Sequence, residues 1–232
     1  MTRTALILAP HPDDESITGL LPLRLKEECG FRIWVVPVTL GSRSDRRAAR
    51  KRELRAACRT LGFRVRFLGA EEPGAELPAV LGALRPAVVF MPHAKDGHPT
   101  HRATHRIGVA ALDEAGGEFQ VVETEYWHPL THPNLMVGAK RSQLAKLRRA
   151  LACHVGEVAR NDYAARLPAW MSDNVRRGAE LVGGSGAIAP DMDFATLYRA
   201  RIRAGGKWRA PFRGGRIVAT PADLRTIAAA WE

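Results

Sequence analysis

Five residues near the start of the chain, His11-Pro12-Asp13-Asp14-Glu15, set one imidazole beside three carboxylates. Like charges this close repel unless a cation sits among them, and a divalent metal serves. A histidine and an aspartate three residues apart can turn toward one ion where a strand bends into a helix. The carboxylate between them, Asp13, is then free to take a proton from water. The same residues also suit a plain helix start, where Asp and Glu favour the positive end of the helix dipole. A second cluster runs His93-Ala94-Lys95-Asp96-Gly97-His98-Pro99-Thr100-His101, with His105 one helical turn on. His98 and His101 are three apart and can approach one site. Catalytic zinc sites usually take three protein ligands and leave one position for water. His11, Asp14 and one of His98 or His101 fill that number. The remaining histidine is left to hydrogen-bond an oxyanion or to protonate a leaving group. His93 reads as a surface or capping residue, and His105 as either that or a partner that holds a ligand in place. No cysteine lies near these residues and Ser16 has no triad context, so an activated water is the economical nucleophile.

These clusters need a frame that brings them together. Thr4–Ala9 is an apolar run of buried-strand length. Residues 16–29 have a helical pattern closed by Gly30. Strands follow at Phe31–Leu40, Arg64–Leu68, Ala87–Met91 and Gln120–Trp127. Helices separate them at Asp45–Leu61, Leu77–Leu84 and Thr100–Ala115. This alternation predicts an α/β, Rossmann-like fold, a mostly parallel sheet with helices on both faces. Such sheets bind ligands outside the carboxyl ends of their strands, where the strand order reverses. Both clusters follow strands and open on that one edge. Beyond Trp127 the pattern weakens. Trp127–Asn134 is a loop, Lys140–Cys153 and Asp162–Leu181 are helices, Gly205–Gly215 is a mobile glycine-rich stretch, and Pro221–Trp231 is a last helix. The expected organisation is one domain over 1–232, with a core at 1–154 and a helical and loop C-terminal extension at 155–232.

The chain has 232 residues, 46% hydrophobic and 25% charged, which suits one globular domain with a sizeable core. No apolar run reaches the roughly 18 residues of a membrane span, and the stretch before His11 is unlike a signal peptide. Cys29, Cys58 and Cys153 are scattered and support neither a disulfide framework nor a thiolate zinc knuckle. A cytoplasmic location is expected. The net charge of +11 raises nucleic-acid or anionic-membrane binding. The basic residues are spread along the chain, no nucleic-acid motif appears, and the acidic cluster repels phosphate, so no nucleic-acid partner is expected. The densest run, Arg43–Arg59, contains arginines suited to a phosphate or another anionic group on a substrate.

Ala9-Pro10-His11-Pro12-Asp13-Asp14-Glu15 resembles the AHPDDE signature of the PIG-L/LmbE-like zinc-dependent N-acetyl-sugar deacetylases. Asp96-Gly97-His98-Pro99-Thr100-His101 resembles their second signature, HPDH. Thr39-Leu40-Gly41 and the run from Arg50 to Gly62 keep the family's spacing. Tyr126–Asn134 looks like its substrate loop, and His154 lies where a short C-terminal motif is often found. The resemblance covers most of residues 4–154. It implies His11, Asp14 and His101 as zinc ligands, Asp13 as general base and His98 as oxyanion stabiliser or acid. It also implies Arg50 and Asn134 at the substrate, with Asp96, Thr100 and His105 behind the ligands. Trp127, at a strand end, can stack on the apolar face of a pyranose. Zn²⁺ is the implied cofactor, and the same donors suit Fe²⁺ or Co²⁺. The implied partner is a small N-acetylated amino sugar or its conjugate, which would yield acetate and a free amine. A homo-oligomer is compatible with all of this. Two departures stand out. Thr100 replaces the usual Asp and brings no charge, so a less basic His98 is expected unless Asp96 takes over. After His154, Val155-Gly156-Glu157 replaces the family's Ser-Gln. Two alternatives stay open, a metal-dependent hydrolase of another amide or a phosphoester, and a basic binding protein without catalysis.

Overall fold

The computed structural model describes residues 2–69 and 73–231. Its first strand, β1 (Thr4–Ala9), is buried along its whole length, as a strand covered on both faces must be. Ala5, Ile7 and Ala9 enter one core, and Leu6 and Leu8 enter the other. The strands β2 (Arg32–Pro37), β3 (Arg64–Val65), β4 (Val88–Pro92) and β5 (Glu118–Thr124) lie parallel in the order β3-β2-β1-β4-β5. The helices between them are α1 (Asp14–Ile17), α2 (Leu20–Cys29), α3 (Arg47–Leu61), α4 (Pro73–Leu84) and α5 (Pro99–Ala115). Buried residues of α2 and α3, such as Leu21 and Leu54, join the first core, while Leu77 of α4 and Leu112 of α5 join the second. The strand order reverses between β1 and β4, which opens a crevice at their carboxyl ends. The expected parallel α/β frame is therefore present.

One helix divides. The sequence pattern predicts a continuous helix over 16–29, but α1 and α2 are separated at Thr18-Gly19. A Cβ on Gly19 would stand 2.0 Å from the carbonyl oxygen of Glu15, so the close packing at this break requires glycine.

The rest of the chain adds β6 (Leu135–Ala139), α6 (Arg141–Leu151), α7 (Val155–Arg160), α8 (Tyr163–Gly183), β7 (Phe194–Ala204), β8 (Lys207–Arg209), β9 (Arg216–Val218) and α9 (Pro221–Ala229). β7 inserts antiparallel between β5 and β6, β9 lies parallel to β6, and β8 folds back on β7. Residues 155–232 are thus not a helical and loop extension; they continue the same sheet with three strands. Gly205 and Gly206, at φ +53° and +71°, make the tight turn between β7 and β8, as two-residue hairpins require. Part of the stretch expected to be mobile is therefore a hairpin. Among the described residues no helix is long and apolar enough to cross a membrane.

Candidate metal centre

The chain leaves β1 at Ala9 and turns through Pro10-His11-Pro12 into α1. The turn depends on Asp13, which holds φ at +132°, an uncommon conformation for a residue with a side chain. Such backbone costs about 1–3 kcal/mol and persists where its surroundings over-determine it. Here they do. The Asp13 N–H donates to Glu15 Oε2 at 3.0 Å, and Arg50 Nη2 donates to the Pro12 carbonyl at 3.2 Å. Glu15 is itself clasped: its Oε1 accepts from Ser16 Oγ at 2.6 Å and from His154 Nε2 at 2.8 Å. Glu15 and His154 are both fully buried. His154 thus reaches from the junction of α6 and α7 to fix the turn that carries Asp13. The sequence marks its position but not this partner.

The second cluster follows β4 on the neighbouring strand. His98 caps α5, with its Nδ1 accepting the Thr100 backbone N–H at 3.2 Å. Asp96 ties the loop to the helix: Oδ1 accepts the His98 N–H at 2.8 Å, and Oδ2 stands 3.2 Å from His101 Nδ1. Asp96 therefore bonds the ring of His101, not that of His98. The charge that Thr100 lacks is not replaced on the His98 ring.

The crevice brings the two clusters together. The rings of His11, His98 and His101 lie 5.0–5.5 Å apart, and each offers a nitrogen within 4.8 Å of the others. Asp14 stands between two of them, with Oδ2 3.6 Å from His11 Nδ1 and Oδ1 3.5 Å from His101 Nε2. Two donors about 2.1 Å from a tetrahedral ion stand about 3.4 Å apart, so His11, Asp14 and His101 have the spacing of ligands to one cation. His101 Nε2 is buried and has no hydrogen-bond partner among the described residues, which fits a nitrogen kept for a metal. Burial pushes the Asp14 carboxyl up, but His101 and His11 outweigh it and hold it below its ordinary value. Burial pulls His101 down, yet Asp14 and Asp96 leave it above its ordinary value. Burial, then Asp14 and Glu15, raise Asp13 well above the usual carboxylate range. Burial and the rings of His11 and His101 lower His98.

A cavity of about 590 Å³ opens over this centre, lined by His11, Asp13, Asp14 and His98, by Thr100, Trp127 and Tyr163, and by several arginines. Trp127 is 46% exposed and meets Tyr163 edge to face at 5.8 Å between ring centres. Arg50 lines the cavity, but its fork is largely engaged by the carbonyls of Pro12 and Leu40 and by Glu157. Two expected residues are not brought here. The Asn134 amide is engaged at both ends by the Ala200 backbone, where β6 meets β7. His105 faces Glu123 of β5 at 3.1 Å rather than one of the candidate ligands. His93 anchors the loop after β5 through the His128 carbonyl at 2.9 Å. Arg46, Arg47, Glu157, Arg160 and Tyr163 line the cavity without having been singled out by motif, because they come from separate segments. The dense basic run was the one available signal for the first two.

The profile of the PIG-L family, described as GlcNAc-PI de-N-acetylase, matches residues 6–112, from β1 into α5. It is this N-terminal part of the chain, residues 6–112, that matches the PIG-L family. Two curated proteins named 1D-myo-inositol 2-acetamido-2-deoxy-alpha-D-glucopyranoside deacetylase are similar to it. The one from Mycobacterium leprae is 31% identical over 159 residues, covering 50% of this chain and 52% of that protein. The one from Streptomyces avermitilis is 27% identical over 197 residues, covering 62% and 67%. The chain thus spans about half to two thirds of the length of these relatives. Among solved structures, the N,N'-diacetylchitobiose deacetylase of Pyrococcus horikoshii superposes with a TM-score of 0.64 at 17% identity, covering 88% of this chain and 84% of that one. A 4-carboxy-2-hydroxymuconate hydratase from Pseudomonas putida superposes with a TM-score of 0.68 at 18% identity, covering 86% and 96%. These likenesses establish the fold of the PIG-L domain and its extension. They span more than one reaction, so the chemistry must be argued from the site.

Proposed function

We propose that the protein is a metal-dependent hydrolase that removes acetyl from an N-acetylated amino sugar or its conjugate, releasing acetate and a free amine. The observation that carries the reading is the buried, partnerless Nε2 of His101, set at ligand spacing with Asp14 and His11 beneath an open cavity. These three residues would hold the ion, which we take to be Zn²⁺, with Fe²⁺ and Co²⁺ also suited to two nitrogens and one carboxylate. A bound divalent cation supplies a Lewis acid for the amide carbonyl and lowers the pKa of water. Asp13 takes a proton from the attacking water as the water oxygen bonds to the acetyl carbon. His98 donates a hydrogen bond to the carbonyl oxygen as negative charge builds there. Its Nδ1 accepts the Thr100 N–H, so the ring carries its proton on Nε2 and stays neutral, acting as donor rather than as acid. Asp13 then gives its proton to the leaving nitrogen as the C–N bond breaks. Asp96 acts through His101, whose ring it orients. Trp127, half exposed in the cavity, offers a face for the sugar ring. The three free cysteines suit a reducing, cytoplasmic setting.

The test is acetate release by apo, zinc-, cobalt- and iron-loaded protein against N-acetylglucosamine and its conjugates. Metal-dependent acetate from any of them is expected. Tight binding of one metal with no acetate from the whole panel would overturn the deacetylase reading.

A further inference from the structure

The cavity has a chemical asymmetry that deacetylation alone does not require. Arg46 and Arg47 stand at the start of α3, Arg160 ends α7, and Arg50 lies one turn into α3; all four line the cavity. They share two carboxylates, while a fifth cavity arginine, Arg43, has its own partner in Asp45. Arg46 pairs with Glu53 at 2.8 Å, and both Arg50 and Arg160 pair with Glu157. Among the described residues Arg47 makes no ion pair, and it is exposed. The first turn of α3 contains no acidic residue and no side-chain cap, so the positive end of its dipole adds to the arginine charge. One of the guanidinium groups is already held. Arg46 is fixed by Glu53 and lies so close to Gly156 that a Cβ there would stand 1.9 Å from its Nη2, while Arg160 is exposed and pairs with Glu157 at the surface. Forks held in place lose little freedom when they bind a planar or tetrahedral oxyanion.

We propose that Arg46, Arg47 and Arg160 bind an oxyanion substituent, a phosphate or a carboxylate, on the same sugar whose acetamido group reaches the metal centre. This rests on the deacetylase reading and narrows its substrate class. The cavity, at about 590 Å³, falls within the roughly 300–1,000 Å³ of small-molecule sites, with room for a sugar ring and a charged substituent. Trp127 and Tyr163 supply the apolar contact for the ring in the same cavity. The uncompensated charge sits in a concavity beside the reacting group, where it acts on one bound molecule rather than as a diffuse basic surface.

The decisive experiment compares kcat/KM of the metal-loaded protein for N-acetylglucosamine, its 1-phosphate and 6-phosphate, and N-acetylmuramic acid as the carboxylate-bearing sugar. In parallel, calorimetry measures binding of glucosamine and glucosamine 6-phosphate, which needs no turnover. At least one anionic sugar is expected to exceed the neutral one by about tenfold or more, as charge-assisted bonds allow. The preference should shrink at high salt. It should collapse toward unity in R46Q/R47Q and persist in the control Arg203→Gln, whose side chain pairs with Asp113 elsewhere. Whether a phosphate or the carboxylate gives the preference names the group. Equal turnover of neutral and anionic sugars overturns this subsite while leaving the deacetylase reading intact, as does a preference that survives R46Q/R47Q. If no sugar yields acetate, the deacetylase reading fails. Calorimetry then decides the subsite alone: preference for the phosphate, lost in R46Q/R47Q, supports it, and equal binding overturns it.

Discussion

The two halves of the sheet divide the work differently. The parallel half, β3-β2-β1-β4-β5, holds every proposed metal ligand and both proposed catalytic groups on two adjacent loops and the first turns of the helices that follow them. The mixed half, β7-β6-β9 with its helices, supplies no ligand. It supplies what surrounds them: His154 against Glu15, Glu157 against Arg50, and Arg160 and Tyr163 in the cavity wall. Chemistry is concentrated where strand order reverses, because that edge is where consecutive loops diverge and leave a crevice. The later segment adds Glu157, Arg160 and Tyr163 to a cavity wall whose other arginines, Arg46 and Arg47, come from α3 in the parallel half. The family profile, over residues 6–112, lies within the first of these regions and stops before β5.

Five substitutions would break or sharpen this division. The largest effects belong to the parallel half. Asp13→Ala and His98→Ala should each lower kcat for acetate release by about 10²–10⁴-fold, the range for lost general-base or oxyanion groups. Circular dichroism and the melting temperature should stay near those of the parent; near-full activity in either variant would remove the mechanism.

Asp96→Asn comes next, since it weakens the partner that orients His101. Zinc affinity in a chelator competition should fall about 10–100-fold. The His98 ring, which Asp96 does not touch, predicts little change in turnover once metal is saturating.

His154→Ala carries the comparison across the two halves. Removing Nε2 leaves the buried Glu15 without one partner and should cost about 1–3 kcal/mol in urea unfolding. Activity should also fall at temperatures where the variant is fully folded, because Glu15 holds the Asp13 turn. An unchanged kcat there would reduce the clasp to a stability element.

The smallest effect lies at the seam. Glu123 on β5 meets His105 and, across the β5–β7 junction, Arg201 at 3.3 Å. Burial pushes its carboxyl up, but His105 and Arg201 outweigh burial and hold it below its ordinary 4.5. A depressed folded value means the stabilisation is complete above the unfolded value and is lost as pH falls through the folded one. Stability against urea from pH 7 to pH 3 should therefore fall less steeply in Glu123→Gln than in the parent. Parallel acid profiles would show that the seam carries no such linkage.

Much of this was legible in the chain. β1 and β4 read as apolar runs because a doubly covered strand has no polar face, and the loops after them read as chemistry because clustered His and Asp have few other uses. The parallel α/β frame then followed from alternation. What the pattern did not reveal has identifiable causes. β7 alternates Arg199, Arg201 and Arg203 with Ala200, Ile202 and Ala204, a period of two masked by its charge. β6 and β9 are short, and the partners of β6, β7 and β9, lie far along the chain from it. Asn134 sat in a plausible substrate loop, but its amide belongs to the backbone of Ala200.

The sequence by itself determined the frame and the clusters of His and Asp that it carries at one edge, because each is encoded in residues close together or in a local period. Only the tertiary structure decided which residues face one another across long separations. It set His154 on Glu15 and Asp96 on His101 rather than on the His98 ring, and it gathered arginines from α3 and α7 into one wall. Such pairings depend on how helices pack over the sheet, and no local periodicity records that.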